Sequence, residues 1–263
     1  TIDNGVLRCA YHGWEYDRTG ACVRIPALPE GSPIPRKARA INYHAAEAYG
    51  LVWVALAEPA APIPAWPENE YDDPAYKTIL AYREVWNSSA GRALENFMDV
   101  SHFAFVHTGL LGSLDDTLVE AHEVKTTDYG FAYDLHQEEA NSELKGLTLR
   151  EYRIYFPFTA YIRRIASDGH VSIISLTASP VSPKRTELFM FISRNHSFDE
   201  PDNLFTDFND TVMAQDRAIV ESQRPEEIPS DLRDELHVKV PDAAAIAFRR
   251  LLGQLDNVED HMP

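Results

Sequence analysis

Two histidines and a carboxylate fall close together in the run Asn96-Phe97-Met98-Asp99-Val100-Ser101-His102-Phe103-Ala104-Phe105-Val106-His107. Neutral imidazole is a ligand for iron, zinc, copper or nickel. The neighbours are largely apolar, and a polar group buried without a partner costs free energy. A metal ion shared by His102 and His107 would remove that cost. The plain alternative is a pair of ordinary core or surface histidines. Asp99 and His102 are three apart and share a helix face. His102 and His107 are five apart, which is about 140° of helical rotation. Both rings can meet one ion only if the helix distorts or ends between them, and a π-bulge is one such distortion.

A third ligand is offered by the segment from about Asn203 to Gln223, which reads as a helix. Phe205, Phe208, Val212, Ile219 and Gln223 step by three or four along it, and Asp216 fills the one gap. A carboxylate in the middle of an apolar stripe is expensive unless something neutralises it. A metal would do so; an arginine partner or backbone donors would also do so. Two histidines and one carboxylate form the facial triad of non-haem Fe(II) oxygenases, with positions left open for dioxygen. The same set suits zinc, although the His-Glu-x-x-His signature of zinc proteases is absent.

Near the start, Cys9-Ala10-Tyr11-His12-Gly13-Trp14 sits between candidate strands. Cys9 and His12 offer one thiolate and one imidazole from a single loop. A Rieske [2Fe–2S] centre takes two of each, so this loop would supply half a ligand set; taken alone, the pair also reads as a structural thiol and a surface imidazole. Cys22 has no histidine beside it and reads as a packed strand residue.

The positioning elements follow from composition and pattern. Net charge is −17, which argues against nucleic acid or an anionic membrane as partner. No apolar run is long enough to span a bilayer. No signal peptide is visible, and two cysteines make no disulfide framework, so a reducing cytoplasm is the expected setting. Val6–Cys9, Ala21–Val23 and Tyr49–Leu56 read as strands. Pro59, Pro62, Pro64, Pro67 and Pro74 then mark a linker, with the boundary near residue 60. Beyond it, Ile79–Val85 reads as a strand and Ser88 or Ser89 as the cap of a helix to about His102. Strands are expected near Val119–Thr126, Phe131–Gln137, Leu147–Tyr155, Ala160–Ile165, Val171–Ser179 and Glu187–Ser193. Asp168-Gly169 is a hairpin turn, and Asp242 stands before a last helix, Ala243–Leu252. The pattern is α+β.

These pieces together resemble the large subunits of Rieske-type aromatic-ring oxygenases, nearest the phthalate- and vanillate-type enzymes. The likeness rests on Leu7–Tyr16, which resembles the second cluster-binding loop, on Asp99, His102 and His107 in the pattern D-x2-H-x4-H, and on Gln215–Glu221. The resemblance implies a partial all-β Rieske domain over 1–60 and a catalytic domain of helix-grip (START-like) type over 61–263, with an antiparallel sheet and flanking helices. It implies mononuclear Fe(II) on His102, His107 and Asp216, and a [2Fe–2S] cluster of which Cys9 and His12 are half the ligands. Asp99 would be the electron-transfer bridge between a cluster histidine and an iron histidine, and Asn96 would either line the iron site or be a helix-surface amide. The family's first loop, Cys-x-His, falls upstream of Thr1, so the sequence is expected to be truncated inside the Rieske domain. The implied activity is a terminal oxygenase that takes dioxygen and electrons from a reductase or ferredoxin, and hydroxylates or demethylates an aromatic substrate, in a homotrimer. A non-catalytic ligand-binding helix-grip protein and a zinc-dependent hydrolase are the alternatives. Tyr152, Tyr155, Phe156, Phe158 and Tyr161 are either pocket walls or plain core, and no site role is assigned to them. Arg150, Arg153, Arg163 and Arg164 are either partners for a substrate carboxylate or exposed strand residues.

Overall fold

The computed structural model describes residues 1–139 and 146–259. It divides into two compact units, Thr1–Ile63 and Pro64–Pro263. In the first unit, β1 (Ile2–Asp3), β2 (Val6–Arg8), β3 (Glu15–Tyr16) and β4 (Cys22–Arg24) form an antiparallel sheet in chain order. A separate hairpin joins β5 (His44–Ala48) to β6 (Leu51–Ala55). Its turn is Tyr49-Gly50, with φ of 56° and 70°. Two-residue hairpin loops with positive φ at both positions match the twist of the strands they join. Tyr49–Leu56 is therefore not one strand: its first two residues are the turn, and the partner strand lies before them.

The second unit is built on one seven-stranded antiparallel sheet of order β7-β13-β12-β11-β10-β9-β8. Its elements run β7 (Lys77–Trp86), α1 (Ala90–Met98), α2 (Phe103–Val106), β8 (Lys125–Thr127), β9 (Gly130–Glu139), β10 (Gly146–Tyr155), β11 (Thr159–Ala166), β12 (Val171–Ser182), β13 (Arg185–Arg194), α3 (Asp202–Val220) and α4 (Ala243–Glu259). Side chains alternate across a strand. The inward set Tyr133, Tyr152, Ile154, Leu176, Leu188 and Met190 meets Leu94 and Met98 of α1, Met213 of α3 and Phe248 of α4 in one core. Tyr133 and Tyr152 stack within it, 4.4 Å apart and nearly parallel. The opposite face is covered by the segment after Pro64. There Trp66 packs on Tyr161, and buried Glu70 accepts from Arg163 at 3.0 Å. Among the described residues, no helix is long and apolar enough to cross a membrane.

Two expectations on this unit need correction. Of Val119–Thr126, only its last two residues are in strand, within β8; the apolar–polar alternation before them finds no partner strand, and Leu118 stands exposed. The helix capped at Ser89, whose Oγ accepts from the Arg92 amide at 3.3 Å, stops at Met98 rather than at His102.

Helix packing is tied by a buried charge network. Arg249 of α4 makes two bonds to Glu95 of α1, at 2.7 and 2.8 Å, and one to Glu235 at 2.7 Å. Arg92 donates to Glu235 at 3.0 Å. Arg92 and Arg249 are both buried. Hydrogen bonds from Arg92, together with Arg249 and against the cost of partial burial, hold the Glu235 carboxyl at about 2. Removing one member of a buried ion network leaves a charge uncompensated, which costs about 3–5 kcal/mol. Glu235→Ala is expected to lose about that much in urea unfolding at pH 7. Because the carboxyl is depressed, its contribution is present above its ordinary value and lost as pH falls toward 2. The gap between the two proteins should therefore close in acid; a gap that persists unchanged at pH 2 counts against the network.

Candidate metal centre

The break after Met98 sets the first half of the site. Asp99 is extended, with φ −76° and ψ 137°. Its Oδ1 accepts the Ser101 amide at 2.9 Å and its Oδ2 the His102 amide at 3.1 Å. An aspartate that takes the amides two and three residues on stops a helix by offering the backbone a local turn. The chain then makes the single turn α2, with His102 before it and His107 after it. The 140° problem is solved by ending α1 and starting again, not by a π-bulge.

Behind His107 the chain folds back over α2. The Leu111 and Gly112 amides approach the His107 carbonyl at 3.0 and 3.4 Å. A Cβ on Gly112 would stand 2.6 Å from the Phe103 backbone carbon, so no larger residue fits this closure.

The second half comes from α3. Its buried face carries Phe205, Asn209, Val212, Met213, Asp216 and Val220. Asp216 is on that face, as the stripe implies. Ile219 is not: it is about half exposed, and Val220 takes the core position. The Asp216 Oδ1 lies 2.9 Å from His107 Nε2 and 3.4 Å from His102 Nε2. His107 is fully buried and Asp216 is 6% exposed. Among the described residues, this trio alone brings three such donors together, all within 4.8 Å of one another.

The donor atoms fit a single ion. His102 Nε2, His107 Nε2 and Asp216 Oδ1 are all buried, and none makes a well-formed hydrogen bond. Two ligands about 2.1 Å from one ion are separated by about 3.0 Å at right angles and about 3.4 Å at the tetrahedral angle, the range in which the two spacings from the Asp216 oxygen fall. The far side of each ring is held. His102 Nδ1 is 2.8 Å from Asp99 Oδ2, and His107 Nδ1 is 2.7 Å from Gln215 Oε1. Burial pulls the His102 imidazole down, but Asp216 and Asp99 outweigh it and lift it to about 9. Burial likewise opposes ionisation of Asp216 and Asp99, and the histidines beside them hold both below the usual carboxylate range.

A cavity opens on the trio. Asn96 lines it, as do Phe97, Phe103, Leu111, Ile162, Met190 and Phe208. The aromatics Tyr152, Tyr155, Phe156, Phe158 and Tyr161 are not in that lining; Tyr152 and Tyr161 are buried packing residues. The strand arginines split by face. Arg153 and Arg163 pair with Asp134, Glu151 and Glu70. Arg150 and Arg164 stand opposite each other in register, are buried, and both line the cavity. Arg150 also lies over the Phe103 ring at 5.2 Å, and Arg164 donates to Ser172 at 2.9 Å.

In the first unit, Cys9 and His12 sit exposed in the loop between β2 and β3. The Cys9 amide donates to the Trp14 carbonyl at 2.9 Å, and the Gly13 amide to the Cys9 carbonyl at 3.1 Å. Gly13 has φ of +71°, a conformation glycine adopts without strain. Cys22 is buried in β4.

Known proteins are similar to this chain in sequence and in fold. The family described as vanillate O-demethylase oxygenase C-terminal domain matches residues 86–257, and the Rieske [2Fe-2S] domain family matches residues 1–44. The methylxanthine N1-demethylase NdmA of Pseudomonas putida is 33% identical over 262 residues, covering 97% of this chain and 72% of its own length. The methylxanthine N3-demethylase NdmB of the same organism is 33% identical over 256 residues, covering 93% and 68%. The structure of Pseudomonas putida CBB5 NdmA with caffeine superposes with a TM-score of 0.89 at 31% identity, covering 99% of this chain and 75% of that one. Dicamba monooxygenase bound to dicamba shares the fold, with a TM-score of 0.80 at 20% identity.

Proposed function

The chain belongs to the Rieske non-haem iron oxygenases, and from that premise we propose that His102 and His107, through Nε2, and Asp216, through Oδ1, hold its mononuclear Fe(II). A Rieske [2Fe–2S] centre and a mononuclear iron belong to such oxygenases in general. Cys9 and His12 are proposed as one thiolate and one imidazole toward that cluster. The observation that carries the reading is the trio of buried donor atoms left without hydrogen bonds, two from the ends of α2 and one from α3.

When bound, iron(II) supplies dioxygen activation for oxidative attack on an aromatic ring or a methyl group. The protein's own groups do the rest. Asp99 and Gln215 hold the two imidazoles so that Nε2 faces inward on both. Phe97, Phe103, Leu111, Ile162 and Met190 make a largely apolar wall that limits water near the reacting atoms. Asn96 offers an amide to that space. Arg150 and Arg164 line the same space and are the cationic groups there that a carbonyl or carboxylate of the substrate would meet.

Demethylation is the favoured reaction, because both methylxanthine relatives carry that activity over most of this chain's length. Electrons from a reductase or ferredoxin, assembly as a homotrimer and residence in the cytoplasm complete the proposed setting. The test takes the protein with its [2Fe–2S] centre complete, supplies iron and an electron-donating reductase, then offers N-methylxanthines and aryl methyl ethers. The expected result is oxygen uptake matched by one formaldehyde per methyl group removed. Product formed at the same rate without reductant or dioxygen would instead make this a hydrolase.

A further inference from the structure

We propose that Gln215 is a positioning residue that fixes which nitrogen of His107 is free to bind metal. The inference rests on the reading of His102, His107 and Asp216 as ligands and adds to it. Gln215 and Asp216 are successive residues of α3, about 100° apart around the helix. They do not face one way, yet both reach the same ring. Gln215 Oε1 stands 2.7 Å from Nδ1, and Asp216 Oδ1 stands 2.9 Å from Nε2. The imidazole of His107, fully buried, is gripped across its width by one turn of helix.

Neutral imidazole carries one N–H and one lone pair. The Gln215 carbonyl oxygen only accepts, so it places the proton on Nδ1 and leaves the lone pair on Nε2. That lone pair points at the carboxylate oxygen of Asp216, an arrangement that a cation between them makes favourable. With the other tautomer, Nε2–H would donate to Asp216, and the ring would be spent on a hydrogen bond. The same logic acts on His102, where Asp99 takes the Nδ1 proton at 2.8 Å. The two rings are thus backed differently, His102 by a carboxylate and His107 by a neutral amide. A carboxylate behind an imidazole raises its basicity. His102 is the stronger donor of the pair, and His107 is held mainly by orientation.

The experiment titrates Co(II) into the metal-stripped protein and follows its visible d–d absorption. Gln215→Leu removes the acceptor and keeps the bulk. It is expected to weaken Co(II) binding about 10–100-fold, the range for groups that orient a ligand, and to alter the d–d band. Gln215→Glu restores an acceptor, and is expected to bind at least as tightly as the parent. Wild-type affinity in Gln215→Leu, or equal weakening in both variants, overturns the proposal. His107→Ala separates the two levels of argument. If the parent takes up no Co(II), or His107→Ala binds it as tightly as the parent, the triad itself is wrong. Binding lost in His107→Ala but intact in Gln215→Leu removes only the role of Gln215.

Discussion

Asp216→Asn is expected to leave the chain folded and the mononuclear site without iron. The substitution changes one oxygen for an amide and little else in volume. Its neighbours on α3, Val212, Met213 and Val220, still fill the core. The donor set does change, from two imidazoles and an anion to two imidazoles and a weak neutral oxygen. An anionic oxygen is the only charge the protein itself contributes among the three ligands, so its loss should exceed the 10–100-fold cost of losing a group that only orients a ligand. Iron measured after anaerobic loading should fall from about one per site to background, with oxygen uptake falling at least ~100-fold. Near-ultraviolet circular dichroism and thermal midpoint should stay close to the parent. Iron retained at the parent's level would mean that Asp216 lies beside the metal and does not bind it.

What sequence alone made legible was the chemistry carried by short spacing. His102 and His107 could be paired because they are five apart. Asp216 could be added because a carboxylate inside a helical stripe is anomalous. The stripe gave its phase over Phe205, Val212 and Asp216 but not at its end, where core shape decided for Val220 over Ile219. Helix termination was legible in principle: Asp99 followed by Ser101 is a local stop, and its side chain makes those bonds. Gln215 was not, because its partner is 108 residues away and nothing local marks it. The arginines show a similar limit. Arg163 and Arg164 are consecutive, so a strand must send them to opposite faces. Alternation does not say which face is inside, and only the packed sheet assigns Arg164 to the cavity and Arg163 to Glu70.

Asp99→Asn is the variant expected to separate holding the metal from feeding it. Asp99 lies outside the donor trio and bonds to the far nitrogen of His102. It accepts three hydrogen bonds, from the amides of Ser101 and His102 and from His102 Nδ1. An amide has one acceptor oxygen and one donor nitrogen, so an asparagine must turn an NH2 group toward at least one N–H. Its oxygen keeps either the bond to Ser101 or the contacts to His102. If it keeps His102, the ring stays oriented and iron is retained, but the negative charge behind the imidazole is gone. That charge is what a bridging role requires, since it holds the Nδ1 proton of His102 and raises the basicity of the ring that would bind the metal. About a third of the Asp99 side chain is accessible, which leaves it open to a group approaching from outside. The expected outcome is iron content near the parent's, substrate KM within about twofold, and kcat lower by roughly 100-fold or more, a loss made only in the transition state. Rapid-mixing measurements should place that loss in electron arrival: when protein reduced beforehand is mixed with substrate and dioxygen, the oxidised [2Fe–2S] absorbance should return promptly in the parent and not in the variant. Full steady-state activity would remove Asp99 from the electron path. Loss of iron would reduce its role to holding His102 in place, making it the counterpart of Gln215 on the other ring.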